Sequence, residues 1–150
     1  MSQADEGIDL KTSLGYQLKE ASSALRAAME AALRPLGMTV THYSCLELLS
    51  QRPGLSNSDL ARGTFVTRQA MNVLLQSLER DGYVSRPARA PVGKALPTSL
   101  TAAGRRRLAR ATVAVRAIER QMLAGLSDQD QVATRRILST IIESLHNPKI

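Results

Sequence analysis

The chain of 150 residues has few of the side chains that commonly carry chemistry: one cysteine, two histidines, one phenylalanine and no tryptophan. A single cysteine excludes an internal disulfide. The sequence also lacks a phosphate-binding loop, a zinc-protease motif and a nucleophile elbow. Cys45, His42 and His146 show no metal-ligand spacing, so we expect neither a metal nor another cofactor. These absences argue against an enzyme.

Long apolar runs are missing as well. No stretch approaches the ~20 apolar residues of a membrane span, and no signal peptide opens the chain. We therefore expect a cytoplasmic protein without a membrane partner. Cys45 lies among apolar residues, which predicts an inert buried thiol rather than a redox sensor. A chain of 150 residues fits one domain. Because aromatic residues make up only 3% of the chain, we expect a helical core of Leu, Ala, Val and Ile.

Acidic residues are outnumbered: the chain has 20 Lys and Arg against 13 Asp and Glu, a formal net charge of +7. Residues 82–118 contain no acidic residue and eight basic ones, namely Arg86, Arg89, Lys94, Arg105, Arg106, Arg107, Arg110 and Arg116. A run of one sign favours a polyanionic partner, because a surface not meant for anions normally mixes its charges.

Residues 67–80 have the spacing of an amphipathic helix with two unlike faces. The apolar face carries Ala70, Met71, Leu74, Leu75 and Leu78, which we expect to be buried. The other face carries Arg68, Gln69, Asn72 and Gln76. Because Arg can bond to guanine, and Asn or Gln to adenine, this face is suited to reading bases in the major groove. For this helix alone, a solvated amphipathic helix is an equally good interpretation.

The residues before this helix are typical of a shorter helix and a tight turn. Ser56 and Asp59 match a capping box at the start of the short helix, and Gly63 is expected to end it. Residues 64–66 then form the turn, and Thr67 caps the second helix. Helix, tight turn, helix is the arrangement in which the second helix enters the major groove of DNA.

The stretch PGLSNSDLARGTFVTRQAMNVLLQSLERDGYVSR, followed later by LTAAGRRRL, resembles the MarR-type winged helix-turn-helix regulators. The likeness in helix order and length extends over residues 10–145. It implies a homodimeric, sequence-specific DNA-binding repressor that a small aromatic acid or drug-like effector releases from its operator. The alternative is a helical protein-interaction module with a basic surface and no specific DNA target.

The fold that we expect is mainly α: a winged helix-turn-helix with long N- and C-terminal dimerisation helices and a two-stranded wing. Residues 1–36 would form the N-terminal dimerisation helix, residues 37–100 the DNA-binding lobe, and residues 101–150 the C-terminal dimerisation helices, all in one compact chain. Two lobes held about 34 Å apart, one turn of the duplex, would read a pseudo-palindromic double-stranded operator.

The expected phosphate contacts are Ser56, Thr67 and Arg86, together with the wing cations Arg89 and Lys94. The family commonly carries Asp-x-Arg at the wing, with the arginine entering the minor groove. This wing has no aspartate, and either Arg89 or Lys94 could fill the minor-groove role. Proline residues also remove strand amides here, so we expect a short wing.

The effector site is expected only from the family's pocket position. There, Tyr16, Lys19 and His42 would line a crevice between the dimer helices and the winged lobe. A ligand that favours one spacing of the two lobes would change DNA affinity by its differential binding to the two spacings.

Overall fold

The computed structural model describes residues 7–86 and 97–147. These residues form six α-helices, a short 3-10 turn and one antiparallel pair of strands. The helices are α1 (Leu14–Leu33), α2 (Val40–Gln51), α3 (Asn57–Thr64), α4 (Arg68–Arg80), α5 (Ala102–Leu123) and α6 (Asp128–His146), and the strands are β1 (Val84–Ser85) and β2 (Ser99–Leu100). The order of elements is that of a winged helix-turn-helix flanked by long helices, as predicted.

Every helix begins after a serine or threonine whose side-chain oxygen accepts the amide hydrogen three residues later. The caps are Ser13, Thr39, Ser56, Thr67, Thr101 and Ser127. One such cap typically contributes about 1 kcal/mol, so the hydroxyl groups of Ser and Thr help to fix where these helices begin. The box predicted at Ser56 is only half formed, because the Asp59 carboxylate accepts from the Ser56 hydroxyl and pairs with Arg62.

The first helix is shorter than the predicted dimerisation segment of residues 1–36. It begins after Ser13, because the Ser13 side-chain oxygen accepts the Tyr16 amide hydrogen and so starts the helix there. Its other end matches the prediction: Pro35 lies in a 3-10 turn (Arg34–Leu36) that closes at Gly37 with a φ of 69°. The chain then enters α2.

The end of α3 differs from the prediction. The helix runs through Gly63 to Thr64, and it is Phe65 that takes the left-handed conformation, with a φ of 61°. A Cβ at Gly63 would lie 2.6 Å from the Leu48 Cδ1 atom of α2, so the end of the Leu48 side chain would have to shift to accommodate it. Helix α3 thus lies close to α2 at this position.

The buried core belongs to the middle of the chain. Its fully buried members include Leu46 of α2, Leu60 of α3, Met71 and Leu75 of α4, and Val84 of β1. We call α2 to α4 with the two strands the winged lobe. The first half of α5 also contributes to this core, through Leu108 and Ala111. Buried residues are scarce in the terminal helices: α1 has one, Leu33, and α6 has none.

The base of the wing is a short ladder in which Val84 pairs with Leu100 and Ser85 with Ser99. The start of α5 packs tightly beside it, because a Cβ at Gly104 would lie 2.1 Å from the Tyr83 carbonyl oxygen. This contact explains the glycine of the LT-x-x-G motif.

The predicted wing tip, with Arg89 and Lys94, lies outside the described residues. None of the described helices combines the length and apolarity of a membrane span.

Candidate nucleic-acid interface

Helix α4 presents one buried face and one exposed face. Met71, Leu75 and Leu78 are buried against the core of the winged lobe. Ala70, predicted to be buried, is exposed, and Leu74 is only half-buried. The apolar contact is therefore narrower than predicted, and more of the helix surface is free to meet a partner.

Three of the four predicted base-reading side chains, Arg68, Gln69 and Gln76, are exposed, whereas Asn72 is half-buried. Gln69 and Gln76 lie on the same side of α4, with Val73 between them at helical spacing. We call these three residues the α4 ridge. Val73 is 62% exposed, and sequence reasoning missed it because a valine in a helix is ordinarily counted with the core.

The N-terminus of α4 is suited to a phosphate. The Thr67 side-chain oxygen accepts the Ala70 amide hydrogen at 3.1 Å, and Thr67 is exposed, so its own hydroxyl hydrogen can point to a phosphate oxygen. The helix dipole and free amides add positive potential at this end. Ser56 is less suited, because its hydroxyl already donates to the Asp59 Oδ2 atom at 2.9 Å.

Arg86, predicted to hold a phosphate, follows β1 and turns towards α4. Its Nε atom lies 3.7 Å from the Glu79 Oε2 atom, and its side chain is 16% exposed. The pair joins the base of the wing to the end of α4. A phosphate contact by Arg86 would require the side chain to leave Glu79, and this role stays a prediction.

Arg107 connects three parts of the molecule. From α5 it donates one hydrogen bond to the Tyr83 hydroxyl at 3.2 Å and another to the Gly37 carbonyl at 3.1 Å. Its guanidinium carbon also lies 4.7 Å from the centroid of the Tyr83 ring, within the range of a cation–π contact. Tyr83 follows α4 and Gly37 follows the end of α1, so Arg107 braces the winged lobe against the terminal helices.

A cavity of about 350 Å³ lies beside this brace. Its described lining comprises Pro35, Leu36, Tyr83, Ala103, Arg106, Arg107 and Arg110, and none of these is acidic. Arg106 and Arg110 are exposed and lie one turn apart on α5. A wall of this kind, apolar and aromatic with guanidinium groups at its edge, suits a small aromatic acid in size and charge.

The predicted effector residues lie elsewhere. Tyr16 and Lys19 are exposed on α1, His42 is half-buried at the start of α2, and none of them lines this cavity. The His42 Nδ1 atom accepts the Thr39 amide hydrogen at 3.1 Å, which completes the cap of α2. Partial burial lowers the pKa of His42, and the nearby charge of Arg107 lowers it further. His42 thus has a structural task in the chain itself.

Cys45 is fully buried, and its Sγ atom lies 3.9 Å from the Met71 Sδ atom. Burial raises the pKa of this thiol to about 12. The predicted burial is confirmed, and since the thiolate is the reactive form, an inert thiol stays the prediction.

Residues 36–95 match the MarR family. The HTH-type transcriptional repressor Rv2887 of Mycobacterium tuberculosis (strain ATCC 25618 / H37Rv) is 45% identical over 128 residues, which cover 85% of this chain and 92% of the relative. The chain belongs to the MarR family. This confirms the resemblance and makes the protein a transcriptional regulator.

Solved structures of the same relative share the fold of this MarR-family regulator. The complex of Rv2887 with salicylic acid has a TM-score of 0.71 and 45% identity, covering 87% of this chain and 96% of that one. The complex of Rv2887 with DNA has a TM-score of 0.71 and 43% identity, covering 87% and 98%. The winged helix-turn-helix fold is thus confirmed over most of the chain.

Proposed function

We propose that this MarR-family regulator is a homodimeric repressor that binds a pseudo-palindromic operator and leaves it when a small aromatic acid binds. The observation that carries the proposal is the exposed side of α4, where Arg68 and the α4 ridge follow a capped tight turn. The name of Rv2887 as a repressor, and its complexes with DNA and with salicylic acid, support the same function.

The base contacts follow from side-chain chemistry. Arg68 can donate two hydrogen bonds to guanine. The side-chain amide of Gln69 or Gln76 can donate one hydrogen bond to adenine and accept another from it. Thr67 and the amides at the start of α4 hold a phosphate and so fix the register of the helix on the duplex. The wing cations, Arg89 or Lys94, would reach the neighbouring minor groove.

The second copy is proposed from apolar residues that the chain leaves uncovered. They lie near the start of α1 and along α6, and the largest are Leu14, Leu18, Val132, Ile137, Leu138, Ile142 and Leu145. Burial of apolar surface contributes roughly 25 cal/mol per Å², and monomers rarely expose a large contiguous apolar patch. We infer that α1 and α6 of two chains cover one another and set the distance between the two winged lobes.

The effector site that we propose is the arginine-lined cavity. An aromatic acid whose carboxylate bridges Arg106 and Arg110 would place its ring against Tyr83 and Leu36, next to the Arg107 brace. Because the brace joins the end of α1 to the end of α4, a ligand here can favour one spacing of the lobes over another. Only such differential binding can change the affinity for DNA.

Fluorescence anisotropy with labelled duplexes from the DNA flanking the gene tests the function. We expect preference for one pseudo-palindromic duplex over a scrambled one, steep weakening with salt, and release by salicylate. A protein-interaction module would show neither sequence preference nor steep salt dependence, and that result would overturn the proposal.

The double variant Arg106→Gln with Arg110→Gln tests the cavity. Without ligand, the double variant should bind the duplex with the affinity of the unchanged protein. Salicylate should no longer release it from the duplex. Lys19→Gln is the matched control, because it also removes a basic side chain but lies outside the cavity. If release is lost in the control and kept in the double variant, the effector lies in the crevice expected from the family instead.

A further inference from the structure

Val73 occupies the middle of the α4 ridge with most of its side chain uncovered. It is 62% exposed and does not belong to the buried core cluster or to the residues packed against it. Gln69 lies four residues before it and Gln76 three residues after it. A β-branched residue is also a weaker helix former than alanine, so neither helix propensity nor packing within the chain accounts for a valine here.

The orientation of Val73 is fixed by the opposite face of the helix. Met71, Leu75 and Leu78 are buried in the winged lobe, and Thr67 caps the helix at its start. Rotation of α4 to hide Val73 would expose these residues. Val73 must therefore face whatever the two glutamines face.

In the major groove, one base presents an apolar group at its edge, namely thymine with its C5-methyl. Ridge neighbours on a helix lie about 5–6 Å apart, so residues that flank a base-reading glutamine can reach an adjacent base pair. We infer that Val73 contacts the C5-methyl of a thymine beside the adenine read by Gln69 or Gln76. The inference rests on the proposed function and adds a specificity-determining residue to it.

The test replaces thymine by deoxyuridine in the preferred duplex, at one symmetric pair of positions at a time. Deoxyuridine keeps the base pairing and the O4 acceptor and lacks only the methyl group. For the unchanged protein we expect one pair of positions at which affinity falls about fourfold per methyl group. The other thymines should be replaceable with little effect.

The variant Val73→Ala should bind the thymine duplex as weakly as the unchanged protein binds the critical deoxyuridine duplex. Its affinity should not fall further when that thymine is replaced by deoxyuridine. Alanine is the better helix former, so circular dichroism should show an intact helix. Val113→Ala is the matched control, since Val113 is 70% exposed on α5, away from the ridge. It should keep the full response to deoxyuridine.

Two results would overturn the inference while leaving the proposed function intact: equal binding of every deoxyuridine duplex by the unchanged protein, or an undiminished response in Val73→Ala. Absence of preference for any duplex would instead overturn the proposed function, and this inference with it.

Discussion

The winged lobe and the terminal helices use apolar residues in opposite ways. In the lobe, Leu46, Leu60, Met71 and Leu75 are all fully buried within one chain. In α6, every residue retains some exposure, and Ile137 and Ile142 are 47% and 53% exposed. The buried core is therefore complete within one chain, with Leu33 of α1 and Leu108 of α5 closing it beside the lobe. The surface of α6 is left uncovered by its own chain, and in the proposed dimer a second copy covers it.

The difference separates two tasks. A core that is buried within one chain can keep α4 in a fixed orientation, which base reading requires. In the proposed dimer, terminal helices that pair with a second copy would set the distance between the two lobes. Arg107 lies where the two regions meet, because it bonds to Tyr83 of the lobe and to Gly37 after α1.

The largest effect should come from charging the α6 surface. The double variant Ile137→Asp with Ile142→Asp would place carboxylates in the dimer contact, and we expect monomers and a loss of operator affinity of at least about 100-fold, or ~2.7 kcal/mol. Sedimentation velocity and anisotropy measure both. The double variant Gln129→Asp with Ser139→Asp adds the same two charges at exposed polar positions of the same helix and is the matched control. A dimer that persists in the isoleucine double variant would show that Ile137 and Ile142 of α6 do not lie between the two chains.

The next effect concerns the lobe alone. Arg68→Ala should cost about 1–3 kcal/mol of operator binding and relax preference at one base position, without changing the oligomeric state. Arg120→Ala removes the same charge from an exposed site at the far end of α5 and should leave base preference unchanged. Uniform weakening across all duplexes would make Arg68 a phosphate contact rather than a base reader.

A smaller effect is expected at the turn between α3 and α4. Phe65 is 94% exposed and has a φ of 61°, so its side chain gains no packing in the chain while its backbone is in a conformation that favours glycine. Phe65→Gly should raise the free energy of unfolding by up to about 1 kcal/mol. Urea denaturation measures it. A clear loss of stability would show that the phenyl ring packs against a second copy.

The smallest effect is a pH dependence from His42. Its pKa is lowered in the fold from the usual 6.5, so the unfolded chain binds more protons below that pH. Stability should therefore be fully present above about pH 6.5 and fall as the pH drops towards the folded pKa. His42→Gln keeps an acceptor for the Thr39 amide and should flatten this part of the profile. An unchanged profile would assign the dependence to other groups.

Local features of the fold could be predicted from the sequence, because they depend on neighbouring residues. The cap at Thr67 forms as expected, because it needs only the amide three residues later. The assignment of Gly63 as a helix end was wrong, because α3 continues to Thr64 and Phe65 takes the left-handed conformation. Phenylalanine rarely adopts that conformation, so the immediate sequence does not mark this end.

The candidate site was predictable to a similar degree. The exposed Arg68, Gln69 and Gln76 follow from helical periodicity. The ion pair of Arg86 with Glu79 and the bond from Arg107 to Gly37 depend on how distant segments pack. The cavity beside Arg107 was missed for the same reason, although the spacing of Arg106 and Arg110 on one face of α5 was a usable signal.

In the arrangement that we propose, the terminal helices of two chains hold two winged lobes on one operator. Sedimentation equilibrium of the protein with a labelled pseudo-palindromic duplex measures how many chains bind. We expect two chains per duplex, and two chains per particle for the free protein. A single chain bound to the full duplex, with unchanged affinity when one half-site is scrambled, would show that the lobes act separately.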